Sequence, residues 1–202
     1  MIVTAAPTMI RGFLKIYDPV SGEVFMEKDN AIHYENMSIA MANSLTNNDT
    51  GWIYEMAFGN GGSAVDPTGV ITYLPPNTTG QNASLYNQTY AKVVNQYSAA
   101  DVDPTNNYLT VLHTSGNVYT DIVTTCLLDY GEPAGQQAFD NSTNFNGEYV
   151  FDELGLKVWN GSASNLLLIT HVIFHPVQKS LNRQIQIDYT LRIQTLTNLS
   201  AA

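Results

Sequence analysis

Charge is what this sequence has least of. Asp, Glu, Lys and Arg make up 13% of its 202 residues, about half the usual share of roughly 25%. Helices stitched together by Glu and Lys pairs are therefore not expected to dominate. Basic residues are the scarcest: 8 Lys plus Arg stand against 18 Asp plus Glu, a formal net charge of −10. A surface of that sign repels phosphate backbones, so direct nucleic-acid binding is not expected without a basic patch. Lys157, Lys179, Arg183 and Arg192 gather towards the C-terminus. At that density they are expected to pair with carboxylates rather than to form a nucleic-acid stripe.

Cysteine is almost absent. Cys126 stands alone, which excludes an intrachain disulfide and a stapled mini-domain. It lies in the apolar run Ile122 to Leu128, where a buried, inert thiol is expected rather than a nucleophile. Long hydrophobic runs are lacking too. The longest, Leu166 to Phe174, is interrupted by Thr170 and His171 and is too short to cross a bilayer as a helix. Residues 1–10 have neither a basic start nor an adequate apolar stretch for a secretory signal. The expectation is a soluble chain made in a cytoplasm, with no membrane partner. In that setting the Asn-x-Ser/Thr triplets at Asn77, Asn82 and Asn141 are chance products of an Asn- and Thr-rich composition.

What is present suits β structure. Asn, Thr, Ser, Gln and Tyr fill the place of the missing charges, and hydrophobic residues reach 44%, enough for one substantial core. Gly12 to Tyr17 and Glu23 to Lys28 read as a hairpin about the turn Asp18-Pro19-Val20-Ser21-Gly22. One short helix follows, with Asn36 as the expected N-cap and Met37, Ala40, Met41, Ser44 and Leu45 at helical spacing. Asn47-Asn48-Asp49-Thr50-Gly51 ends it. Further strands are expected at Trp52 to Phe58, Ala91 to Tyr97, Tyr108 to His113, Tyr119 to Leu128, Tyr149 to Trp159, Leu166 to Phe174 and Gln184 to Thr195. The last alternates cleanly, with Ile185, Ile187, Tyr189, Leu191 and Ile193 on one face, so that face must be buried. The expected fold is a mainly β antiparallel sandwich or jelly roll with one short α-helix near the N-terminus. The whole chain, 1–202, is expected to form one domain, with 1–10 a flexible arm and 75–90 an exposed loop excursion rich in Pro, Asn, Thr and Gly.

No catalytic, metal-binding or cofactor-binding set is legible. Gly59-Asn60-Gly61-Gly62 resembles a phosphate-cradling loop, but neither a Lys-Ser/Thr ending nor a helix follows, so it reads as a tight turn. His171 and His175 have the spacing of a zinc-binding helix, yet Val172-Ile173-Phe174 and Pro176 make this a strand. On a strand the two rings lie roughly 13 Å apart, too far to share an ion even with Asp152 or Glu153 nearby. His33 and His113 are isolated. Asp140, Glu148, Asp152 and Glu153 offer carboxylates, but nothing in the sequence sets the separation that glycoside hydrolysis requires. Trp52, Trp159 and 12 Tyr could stack on sugars, although Tyr is also an ordinary residue of protein interfaces.

Two stretches carry a resemblance. The first runs from Gly12-Phe13-Leu14-Lys15-Ile16-Tyr17-Asp18 through Gly22-Glu23-Val24 and Asn30-Ala31-Ile32-His33 to the helix, then to Ile53-Tyr54-Glu55-Met56-Ala57-Phe58-Gly59-Asn60-Gly61-Gly62. The second joins Gly147-Glu148-Tyr149-Val150-Phe151-Asp152-Glu153-Leu154-Gly155-Leu156, Leu168-Ile169-Thr170-His171 and Phe174-His175-Pro176-Val177-Gln178-Lys179. Together they cover about a third of the chain and resemble the small neck, collar and tail-associated virion proteins of tailed bacteriophages. The resemblance implies a virion structural protein made in the host cytoplasm, not an enzyme, with copies of itself and neighbouring virion proteins as partners. It implies no catalytic residues and no cofactor. A neck or collar ring at the head–tail junction is the expectation; a capsid decoration protein and a carbohydrate- or receptor-binding tail module are the alternatives.

Overall fold

The computed structural model describes residues 8–133 and 150–195. In chain order its elements are β1 (Thr8–Tyr17), β2 (Val24–Asp29), β3 (Ala31–Ile32), α1 (Tyr34–Leu45), β4 (Ile53–Gly59), β5 (Ser63–Val65) and β6 (Ile71–Tyr73). There follow β7 (Gln88–Val93), β8 (Tyr108–Leu112), β9 (Tyr119–Leu128), β10 (Val150–Ser162), β11 (Asn165–Leu168), β12 (Thr170–Gln178) and β13 (Ile185–Thr195). Every pairing is antiparallel, in two main sheets ordered β2-β1-β13-β9-β8 and β3-β12-β10-β4-β7, with β11 beside β10. This is the mainly β antiparallel sandwich that the alternation and turn spacing lead one to expect.

The core lies between the sheets. Leu14, Ile16, Ile187 and Tyr189 from the first meet Met56, Phe58, Leu154 and Leu156 from the second, and all are buried. The inward face of β13 is the one its alternation specifies: Ile185, Ile187, Tyr189 and Leu191 are each 2% exposed or less. Flanked on both sides by β1 and β9, this strand is central. Its outward Arg192 makes a forked pair with Asp121 on β9, 2.8 Å at each nitrogen.

Several details differ from expectation. The N-cap of α1 is His33, not Asn36: the His33 ring accepts the Asn36 backbone N–H at 3.2 Å. Asn36 is instead fully buried, its side chain donating to the carbonyls of Leu168 and Gln81. β1 reaches back to Thr8 and buries Ile10, because β13 offers partners as far as Thr195; the remainder of the expected arm, 1–7, lies outside the described residues. The run expected as one strand from Leu166 to Phe174 is broken at Ile169 into β11 and β12, both running along β10. A small hairpin, β5 with β6, forms a third sheet that packs against β12 and was not expected from the sequence.

The stretch after β6 is fastened down. β7 begins at Gln88, inside the span expected to be an exposed excursion, and Leu85 is 4% exposed. Leu85 packs with Ala57 and Leu168, away from the main core. Small residues in register across three strands, Gly155, Ala57 and Ala91, leave room there. A Cβ at Gly155 would lie 2.4 Å from the Thr170 carbonyl oxygen and 3.4 Å from Leu85.

Candidate functional site

Two places merit description: a set of buried ionisable groups at one end of β4 and β10, and an aromatic groove at the other. The first arises from a register slip. Phe151 and Leu154 both lie in the core between the sheets, a three-residue spacing that a regular strand cannot place on one face. The slip between Phe151 and Glu153 against β12 resolves this, opposite the segment that contains Pro176. As a result the consecutive carboxylates Asp152 and Glu153 both point away from the core, and both are fully buried under the chain that covers them.

The covering backbone supplies the counter-dipoles. Glu153 accepts the N–H groups of Gly61 (3.1 Å), Tyr86 (2.9 Å) and Asn87 (2.8 Å), and His171 Nε2 at 2.9 Å. Asp152 accepts the N–H groups of Gly62 (2.9 Å) and Ser63 (2.8 Å) and the Ser63 hydroxyl at 2.5 Å. His171 Nδ1 accepts the Asn77 N–H at 2.7 Å. A backbone amide only donates, so Nε2 carries the proton of a neutral ring and donates it to Glu153. Burial pushes the Glu153 carboxyl up, but the His171 bond and the backbone donors outweigh it and hold it below the ordinary range. For Asp152 burial prevails over the Ser63 and Gly62 donors, and the neighbouring Glu153 charge adds to the rise.

The glycine-rich turn is thus an anion-binding loop whose anions belong to the protein. Its glycines are sterically required: a Cβ at Gly59 would sit 2.5 Å from Glu153 Oε1, and one at Gly61 2.7 Å from the Asn87 nitrogen. Asp152, Glu153 and His171 have no exposed surface, and both ring nitrogens of His171 are occupied. The arrangement braces the β4–β5 turn and the stretch around residues 77–87 against the sheet.

The aromatic groove holds both tryptophans of the chain. Trp52 precedes β4, Trp159 lies on β10, and their rings stack with centroids 6.3 Å apart and planes 10° from parallel. Tyr54 tilts against Trp159 at 4.9 Å. With the loop Tyr97 to Ala100, these rings line a groove of about 610 Å³ that contains no charged side chain among the described residues. Tyr97 is 87% exposed. Asn95 forms part of the wall, but its amide already binds the Ile53 carbonyl and the Tyr97 N–H. No flat ring fits between the indoles, since two van der Waals contacts of about 3.5 Å each need roughly 7 Å. An occupant must lie along the rings.

The other residues singled out from sequence are scattered. His171 and His175 share β12, but the first is buried and the second exposed. His33 is fully buried, with Nε2 2.9 Å from the Gly80 carbonyl; His113 is exposed and meets Thr120 and the Tyr119 carbonyl. Among the described residues no cluster of three or more His, Cys, Asp or Glu could hold a metal ion. Cys126 is fully buried, and burial pushes its thiol up to about 12. Of the C-terminal basic residues, Arg192 and Lys157 pair with Asp121 and Glu55, while Arg183 lies over the Phe25 ring at 4.6 Å. Lys179 departs from the expected pairing: 1% exposed, it donates to the Ser180 carbonyl, and burial lowers its ammonium to about 8. Asp140, Asn141 and Glu148 lie outside the described residues. No helix among the described residues is long and apolar enough to cross a membrane.

Sequence reasoning did not bring Gly61, Gly62, Tyr86, Asn87 and His171 together around the two carboxylates. A signal was available in Val150-Phe151-Asp152-Glu153-Leu154: adjacent acids inside an apolar strand require a bulge and internal donors. Comparisons with protein-family models, with curated proteins and with solved structures returned no match.

Proposed function

We propose that this protein is a non-enzymatic structural subunit of a tailed-phage virion, most simply one of a ring of copies in the neck or collar at the head–tail junction. One observation carries the non-catalytic part of this reading. The side chains that resemble catalytic machinery, Asp152, Glu153 and His171, are wholly buried and bonded to the protein's own backbone and to one another. Such a brace holds shape, and holding shape is the task of an assembly subunit. The virion assignment rests on the resemblance of the hairpin, helix, glycine-rich turn and Asp-Glu-Leu-Gly-Leu strand to neck and collar proteins. Low charge density supports it, because uncharged surfaces lose little hydration energy when copies meet.

The aromatic groove favours a second reading, a carbohydrate- or receptor-binding tail module, because half-buried indoles beside the exposed Tyr97 ring offer faces on which sugars stack. Locating the chain in purified particles separates these readings. One ring's worth of copies at the head–tail junction supports the neck assignment, and hundreds on the capsid point to decoration. Copies at fibre tips, with glycan binding lost on Trp159→Ala, favour the receptor reading. Absence from particles rejects all three.

A further inference from the structure

We infer that copies of this chain join head to tail, the exposed segment Tyr73-Leu74-Pro75-Pro76 of one copy lying in the Trp52–Trp159 groove of the next. This deepens the assembly reading and rests on it. Four observations carry it.

The first is charge. Two copies of a chain with net charge −10 repel each other, so a contact between them forms most readily where neither side bears charge. Residues 67–91, which contain the segment, include no Asp, Glu, Lys or Arg. Among the described residues the groove lining is likewise uncharged.

The second is shape. Tyr73 and Leu74 are 50% and 46% exposed, and Pro75 and Pro76 are exposed beside them. Proline holds the residue before it extended, so both Leu74 and Pro75 are fixed in extended conformation. The Tyr86 hydroxyl donates to the Pro75 carbonyl at 2.7 Å, and the Leu74 N–H donates to Gly62 at 2.9 Å. A segment already extended and tethered loses little entropy on docking. Aromatic grooves recognise extended proline-containing chain by laying rings along it.

The third is position. The segment hangs from Gly62, just past the end of β4, whereas the groove is built on Trp52, just before its start. Seven strand residues at about 3.3 Å each separate the two by roughly 20 Å. The segment therefore cannot reach the groove of its own copy. Two different patches at opposite ends of one subunit give a head-to-tail contact, the type that closes into rings.

The fourth is the brace. The bonds from Gly61, Gly62, Asn77 and Tyr86 to Asp152, Glu153 and His171 fix the chain on both sides of Tyr73–Pro76. This gives the buried carboxylates a purpose beyond the fold, that of presenting a rigid tongue.

The test uses two full-length variants, Tyr97→Asp to disable the groove and Leu74→Asp to disable the segment. Both sites are exposed, and urea midpoints matching the wild type establish that each variant folds. Each variant alone is expected to be monomeric by light scattering. Their equimolar mixture is expected to form a species of twice the monomer mass, because one copy retains the segment and the other the groove. A mixture that stays monomeric, or variants that associate as the wild type does, overturns the inference while leaving assembly through another surface. A wild type that is monomeric throughout overturns self-assembly itself.

A second measurement stands apart from the variants' behaviour in mixtures. A peptide spanning Thr72 to Thr78 is titrated into the Leu74→Asp chain while indole emission is followed, both indoles of the chain being in the groove. A saturable shift that is absent from the Tyr97→Asp chain supports the contact. No shift with the peptide, or a shift only with a neutral oligosaccharide, overturns it.

Discussion

Glu153 is the residue on which the brace turns. Buried with four donors, it favours the ionised state, and its folded pKa lies below the unfolded one. Such a group contributes stability that is present above the unfolded pKa, ordinarily about 4.3, and lost as pH falls through the folded value. Asp152 has the opposite sign: its folded pKa is raised, so its ionisation weakens the fold and its protonation restores stability as pH falls. Glu153→Gln is expected to cost about 3 kcal/mol at neutral pH, since the amide cannot accept all four donors. It should also flatten the acid limb of stability, as measured by urea unfolding over a pH series. Lys179 provides a contrary case. Its ammonium falls from 10.5 to about 8 on burial, so the unfolded chain binds more protons between those values and stability rises with pH across that window. Lys179→Met is expected to remove that slope and to raise stability at neutral pH by up to about 3.5 kcal/mol, at about 1.4 kcal/mol per unit. Neither residue was legible in this respect, because sequence gives charge without depth.

Elements whose partners lie close in sequence, or whose periodicity is long, were the legible ones. β9 has the bounds that its Tyr119 to Leu128 run implies, and β13 buries the face its alternation names. The helix boundary was misjudged because Asn36 is a strong cap former in isolation, while its amide here answers the carbonyls of Leu168 and Gln81, remote in sequence. The glycine-rich turn was recognised as a turn; its reason for being glycine lies in residues about ninety positions away. Gly61→Ala would place a methyl against the Asn87 nitrogen and is expected to cost about 1–3 kcal/mol, seen as a lower urea midpoint with an unchanged slope. At the opposite sheet edge, the Gln96 side chain donates to the Leu109 carbonyl at 2.9 Å and accepts its N–H at 2.8 Å. It acts as a one-residue mimic of a neighbouring strand on β8, whose Val111 and Leu112 are 67% and 52% exposed. Gln96→Ala is expected to lower stability by about 1–2 kcal/mol and to increase aggregation, read by turbidity on heating.

At the scale of the molecule, the sandwich separates two kinds of surface along its second sheet. One end presents a braced, uncharged, proline-containing tongue; the other presents a groove lined by both tryptophans. The sequence placed Trp52 and Trp159 among candidate binding residues, but only the register of β4 with β10, which sets the Trp159 N–H on the Trp52 carbonyl at 2.9 Å, makes them neighbours. On the proposed reading, these two distinct ends let one copy join the next. Sedimentation velocity of the purified chain over a wide concentration range tests this most directly. Assembly through the two ends requires a sedimentation coefficient that rises with concentration to the plateau of a closed oligomer, whereas a single 22.2 kDa species at every concentration would contradict it.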